Sequence, residues 1–321
     1  VIPVAQPASS DFRPTIAVIP FEARSNEPEH YVIGEIIADG VIAQLSRSPD
    51  IRVISRLSTT AFRGRTGVMP AVENHLGASF VLSGSYVASG STILISAELA
   101  DARKNEVVWM ERLSGATQDL LQVQSELLGR IAASASRMLI DAEVQRSLTQ
   151  PMPRLDSSAL LLGGIALMHR SSIREFDRSR EVLTALIERH NRVAAGRAWL
   201  AKWHLLRIVR GLSENPTSEA RVALELTRRA LETEPDNALT LSIEGLAYSQ
   251  VLGDFSLADQ RLNSAIASNP NESVAWLFKS VLSSMWGSAS ESVNEAMFAY
   301  ALSPIDPLKY FFELISASAL L

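Results

Sequence analysis

Three segments that end alike recur in the second half of the chain: ALETEPDN, AIASNPNE and YALSPIDP. Their prolines, Pro235, Pro270 and Pro304, are 35 and 34 residues apart. Five residues before each lies an alanine (Ala230, Ala265, Ala299), and twelve before the first two lie Ala223 and Ala258. Such a period constrains the fold more than any composition does, because each unit must stack on its neighbours to bury its apolar side. Small residues let two helices approach closely, and proline stops the second helix before the next unit begins. An earlier unit is expected to end at His190, five residues after Ala185. The longer step from there to Pro235 places about eleven extra residues in the helices or loop around Leu205–Asn215. A lone helix is expected over Pro307–Leu321.

Ahead of the repeats the pattern changes. TIAVIPF (Thr15–Phe21) is a continuous apolar run with β-branched residues, as in a strand covered on both faces. Tyr31–Ser46 places Ile33, Ile36, Ile37, Val41, Ile42 and Leu45 at helical spacing. IRVIS (Ile51–Ser55) predicts a second strand, RLSTTAFRGRTG a polar loop, and Ala71–Leu76 a short helix. SFVLSGSYV, TILISAEL and EVVWMERL predict three further strands, with turns at Gly90 and at Asp101–Asn105. Ile93, Ile95 and Ala97 share one face of the middle one. A long helix is expected over Asp119–Gln145, with Leu120, Val123, Leu127, Leu128, Ile131 and Ala135 as its apolar stripe.

The order β-α-β-α-β-β-β-α implies a mixed sheet with helices packed on it. Its first two strands should be parallel neighbours and its last three an antiparallel meander. The fold class is therefore α/β plus all-α: an N-terminal mixed-sheet domain followed by an array of α-helical hairpins. The expected boundaries are a linker over 1–13, the α/β domain over 14–147, a proline-bearing linker over 148–156 and the repeats over 157–321.

Two resemblances sit on these motifs. The repeat spacing resembles tetratricopeptide (TPR) repeats, with Gly245 and Tyr248 at the small and aromatic positions of one first helix and Trp276 at the leading aromatic position of the next. Ser280 and Ser292 stand in place of the usual Gly and Ala, and Thr227 and Ala296 where a large apolar residue is usual. RPTIAVIPFEARSNEP, RVISRLSTTAFRGR, LGASFVLSGSY and ILISAELADARKNEVVWMERL, in that order, resemble the TolB-like amino-terminal domain of bacterial signalling proteins. That family often carries an Asp-Gly pair at the start of the first helix. Here Asp39-Gly40 comes about one turn later than expected. The resemblance implies TPR repeats behind the domain and, outside this stretch, an effector such as a class III nucleotide cyclase or a winged-helix DNA-binding domain.

Charge excludes some functions. Residues 1–150 hold 13 Lys+Arg against 16 Asp+Glu, and the remainder 17 against 19. Neither half has the basic excess that phosphate-backbone binding requires, so direct nucleic-acid binding is not expected. With no cysteine there is no disulfide, thiolate metal site or thiol nucleophile. The longest apolar run, Ala159–Met168, is too short to span a bilayer, which takes about 20 residues. The sequence shows no charged n-region followed by an apolar h-region, so no signal peptide is visible in it, and the segment reads as excised from something longer, on the cytoplasmic or the periplasmic side.

The chemistry-bearing residues are sparse. No phosphate loop, dinucleotide fingerprint or GxSxG elbow occurs. His30, His75, His169, His190 and His204 form no metal-ligand pattern. Glu35 and Asp39 share a helix face, the spacing a hydrolase would use for paired carboxylates, although a solvated face is the plainer reading. Arg52, Arg56, Arg63 and Arg65 gather near the end of the second strand, where α/β sheets favour ligands, and together with Ser and Thr hydroxyls would suit a small anion. Leu239, Ser242 and Leu246, with Val274, Leu277 and Val281, fall at the partner-facing positions of two repeats and would suit an amphipathic helix or apolar peptide. The expectation is a non-catalytic module without cofactor or metal that docks a protein or peptide, an array also compatible with self-association. An anion receptor is the alternative.

Overall fold

The computed structural model describes residues 12–24, 31–48, 50–63, 69–122, 125–287 and 289–302, with 313 and 317. Pro304, His30, Arg65, Val123, the linker as far as residue 11 and nearly all of the expected last helix lie outside them.

The chain divides into two compact units, and the boundary falls inside one long helix: Arg13–Glu143 form the first, and the chain from Val144, together with Phe12, forms the second. In the first, every side chain of β1 (Thr15–Val18) is buried, as its apolar run predicts. The strand ends sooner than Phe21. Ile19 still donates to Leu82 O, but Pro20 has no N–H to give, and Phe21 turns its amide to Gly34 O in α1 (Tyr31–Leu45). The chain then resumes pairing as β2 (Glu22–Ala23). β3 (Arg52–Val53) keeps only two residues of IRVIS.

The stretch read as a polar loop is in part helical. α2 (Arg56–Thr59) runs into a 3-10 turn at Thr60–Phe62. Thr59 and Thr60 hydroxyls donate to Arg56 O, and Phe62 is buried, so local bonds and one apolar anchor order it. α3 (Met69–Leu76) follows. The meander comprises β4 (Phe80–Ser89), β5 (Thr92–Asp101) and β6 (Glu106–Ala116).

Sheet order is β3-β1-β4-β5-β6, with β2 also beside β4. β1 is parallel to β3 and to β4, while β4-β5 and β5-β6 are antiparallel, so the parallel pair and the meander both stand as expected. Ile93, Ile95, Ala97 and Leu99 fill one face of β5. The other face of the sheet is partly covered by α3, through Val72 on Ala17, Ile19 and Val81.

The final helix of this order begins later than Asp119. A 3-10 turn covers Thr117–Leu121, and α4 (Glu126–Thr149) starts after Ser125, whose hydroxyl accepts from Leu128 N at 3.3 Å. α4 packs on α1 where Leu128 meets Gly40, and Leu127 meets Gly115 of β6. Its last two residues, Leu148 and Thr149, fall in the stretch expected as linker, which also holds a 3-10 turn, Met152–Arg154.

Among the described residues the second unit holds four helical hairpins: α5 (Ser157–Met168) with α6 (Ile173–Arg189), α7 (Ala194–Val209) with α8 (Pro216–Thr233), α9 (Ala238–Ala247, continued by a π turn at Tyr248–Leu252) with α10 (Phe255–Ser268), and α11 (Ser273–Trp286) with α12 (Ala289–Leu302). Asp156, Ser172, Asn215, Asn237, Asp254 and Glu272 cap six of these helices with side-chain oxygens. Val193 cannot cap α7. Glu234, at the end of α8, accepts from Ala194 N at 3.1 Å instead.

The eighth residue of each first helix is small and buried: Gly164, Ala201, Gly245 and Ser280. Opposite them lie Ser179, Ala223, Ala258 and Ser292, all at most 1% exposed. A Cβ on Gly245 would come within 2.7 Å of Leu262, and one on Gly164 within 2.6 Å of Leu183. Small residues at these places allow the helices of each pair to close.

The register of the first hairpin differs from the expectation by one residue. His190, Glu234 and Asn269 each donate back to the fourth residue before them, and each accepts from the third residue after. Leu186, not Ala185, is therefore the counterpart of Ala230 and Ala265, and Asn191 occupies the place of Pro235 and Pro270. The longer second repeat gains residues in the α7–α8 loop, in α8 and, by one, in α7.

Candidate functional site

Arg56 opens α2 and faces α1. Its guanidinium bridges Glu35 and Asp39, one turn apart on α1, and Arg63 also pairs with Glu35. The Glu35 side chain is 9% exposed, whereas those of Arg56 and Arg63 are about two-fifths exposed. The arginines that suit an anion and the carboxylates that suit acid–base chemistry are thus each other's partners. A carboxylate held between two guanidiniums has little capacity to act as a base, and guanidiniums held by carboxylates have donors already in use. Arg52 stands apart on β3, half-buried, its amide bonded to Pro14 O at 2.9 Å.

Nor do the described histidines converge. His75 bonds Ala71 O in its own helix. His190 shares a 2.8 Å hydrogen bond with Ser157 and packs on the Phe12 ring. His204 pairs with Glu219. His169 is pushed down to about 2 by burial, then by the charges of Lys202 and Arg210. Among the described residues no group of three His, Asp or Glu is placed to hold a metal ion, and no helix is long and apolar enough to cross a membrane.

In the array, Leu239, Leu246, Val274 and Val281 are half-buried, and the first three pack against the hairpin cores. Ser242 and Leu277 are buried, Ser242 donating to Ala238 O of its own helix and Leu277 lying in the core with Phe278. Trp276 anchors its hairpin by donating to Pro270 O and meeting Phe298 edge-on at 4.9 Å.

Polar groups that periodicity does not single out lie inside this unit. Glu244 is 6% exposed, 2.9 Å from Arg261 and 3.4 Å from the Thr227 hydroxyl. Burial pushes its carboxyl above the usual range, against the opposing pull of Arg261. Thr227, which departs from the apolar residue of the repeat pattern, thereby serves a buried carboxylate. Lys202 is 2% exposed, its ammonium 4.8 Å from the Trp199 ring and 5.6 Å from that of Phe278. Glu244 is the one charged residue of α9, a signal legible in the sequence, whereas Lys202 shares α7 with Arg197 and Arg207 and is not set apart by sequence.

Residues 12–130 match the family model described as HilA/YgeH-like transcriptional regulator, second domain. A Rhizobium meliloti (strain 1021) protein named "Putative adenylate cyclase 3" is 27% identical over 239 residues, which is 72% of this chain and 40% of that protein. The match therefore spans well under half of that relative's length. Among solved structures, a thermophilic TPR protein of Thermus thermophilus is similar with a TM-score of 0.42 and 19% identity, covering 59% of this chain and 91% of that one. TolB from Acinetobacter baumannii is similar with a TM-score of 0.26 and 18% identity over 43% of this chain and 29% of that one. The class of protein is an α/β domain, similar to a transcriptional-regulator domain, joined to a TPR-like helical array.

Proposed function

We propose that this chain is the non-catalytic regulatory and partner-docking region of a larger bacterial signalling protein. Its front domain is of the TolB-like kind, and its TPR-like array docks a protein or peptide. Through them it controls an effector outside these residues, a transcription regulator or a nucleotide cyclase. The observation that carries this reading is the array itself: four hairpins closed by small residues, with half-buried Leu239, Leu246, Val274 and Val281 on α9 and α11. Support also comes from the matching family model, described as the second domain of a transcriptional regulator, and from the relative named "Putative adenylate cyclase 3". The engaged state of Arg56 and Arg63 gives the anion-receptor alternative no support.

The test uses the full coding sequence that contains this region. Leu246→Ser with Val281→Ser should change cyclic-nucleotide formation or reporter transcription several-fold at unchanged protein level. An output indifferent to these changes and to removal of the array would overturn the reading.

A further inference from the structure

We infer that the turn end of the first two hairpins is a docking surface for an acidic peptide segment. The chain as a whole carries a net charge of −5, yet residues 169–210 hold ten Lys+Arg against four Asp+Glu. Residues 211–321 hold six against fourteen. The array is therefore polarised along its length, which separate counts over the two halves of the chain conceal.

The geometry concentrates that charge. Trp203 is fully buried, donates its indole N–H to Phe176 O at 2.8 Å, and stacks on the Phe176 ring at 4.8 Å. Around this pair stand three guanidiniums: Arg180 at 5.5 Å and Arg207 at 5.7 Å from the Trp203 ring, and Arg210 at 4.7 Å from the Phe176 ring. Arg210 also donates to Arg170 O at 3.1 Å, joining the α5–α6 turn to the end of α7. Glu219 neutralises Arg207, at 3.2 Å. Among the described residues, Arg170, Arg180 and Arg210 form no ion pair with a carboxylate. The field of this cluster is felt by its neighbours, since Arg210 helps hold His169 in its neutral form, and Arg180 and Arg207 act on His204 in the same sense.

A guanidinium stacked on a ring uses its face, and its in-plane N–H donors remain turned outward in a fork that matches a carboxylate. Arg180 and Arg210, both exposed and both over a ring, thus present preorganised donors at one end of the array, and Arg170, also exposed, lies at the same turn. A short segment bearing Glu or Asp satisfies them. An extended polyphosphate would have to run toward the strongly acidic remainder of the array and be repelled. This surface is separate from the apolar row on α9 and α11, so the two can succeed or fail independently.

Fluorescence anisotropy of the whole chain with a short labelled peptide rich in Glu and Ser, at low ionic strength, tests the inference. Binding should weaken about tenfold or more in Arg180→Gln with Arg210→Gln. It should be unchanged in Arg228→Gln, which removes a guanidinium that Glu225 and Glu232 already occupy on α8. Arg180→Lys with Arg210→Lys, which keeps charge but loses the planar fork, should fall between, and covers the case in which the Gln variant unfolds. Four outcomes would overturn it: no binding of the peptide, equal loss in Arg228→Gln, tighter binding of an oligonucleotide of equal charge, or self-association that the same substitutions abolish.

Discussion

Ser292 Oγ donates a 2.8 Å hydrogen bond to Ser280 O, tying α12 to α11 at the point where Ser179 Oγ ties α6 to Gly164 O at 2.6 Å in the first hairpin. Serine at these sites is small enough for close approach and supplies a cross-helix bond that Gly245 and Ala258 lack.

Ser292→Ala should therefore cost about 1 kcal/mol, the usual net worth of one hydrogen bond. Ser292→Leu should cost about 2–3 kcal/mol, because overpacking pushes the helices apart. Urea unfolding followed by tryptophan fluorescence reads the array, which holds four of the five tryptophans.

Two glycines of the first unit make a matched pair. A Cβ at Gly34 would lie 1.9 Å from Phe21 O, in backbone that cannot move without disturbing the end of β1, whereas one at Gly129 meets nothing within 4 Å. Gly34→Ala should destabilise the unit by about 2 kcal/mol or more. Gly129→Ala, within α4, should be neutral or stabilise by about 0.5–1 kcal/mol. Thermal unfolding of the two variants beside the parent shows the contrast as Tm shifts of opposite sign or very different size.

The Arg56 bridge predicts an asymmetry. Arg56→Ala leaves nearly buried Glu35 with one of its two guanidiniums and should cost about 1–2 kcal/mol, reduced from the buried-pair range because Arg56 is 39% exposed. Asp39→Ala, at the 44% exposed end of the bridge, should cost less than about 1 kcal/mol. Denaturant melts at low and high salt would show the Asp39 effect vanishing first.

Acid should loosen the array through His169. Its folded pKa of about 2 lies below the ordinary 6.5, so below 6.5 the unfolded chain takes up a proton that the folded chain refuses. Its contribution is complete above pH 6.5 and is lost progressively as pH falls toward 2, by about 1.4 kcal/mol per pH unit. His204 is shifted in the same direction, chiefly by burial. His169→Leu should flatten the dependence of stability on pH between about 6.5 and 4. An unaltered slope would dismiss His169 as its source.

Much of the architecture is local information, and the residues carry it openly. Pro235 and Pro270 end helices whatever surrounds them, the small residues at 245, 258, 280 and 292 mark close approaches, and Asn237, Asp254 and Glu272 announce helix starts. Alternation in β5 fixes which side faces the core. These features act within a few residues, through backbone sterics and side-chain period.

What tertiary structure alone decided is long-range. Residues seventeen and twenty-one apart bring Asp39 and Glu35 to Arg56, converting two apparent sites into one ion-paired cluster. Phe21 exchanges a strand bond for Gly34 O because Pro20 interrupts the ladder, and Leu186 takes the place of Ala230 because hairpin geometry rather than residue type sets the register. The ring stack of Phe176 and Trp203 gathers Arg180, Arg207 and Arg210 from two helices. Charge pairing and aromatic stacking depend on distance in space, which a one-dimensional pattern encodes only through the fold that closes it.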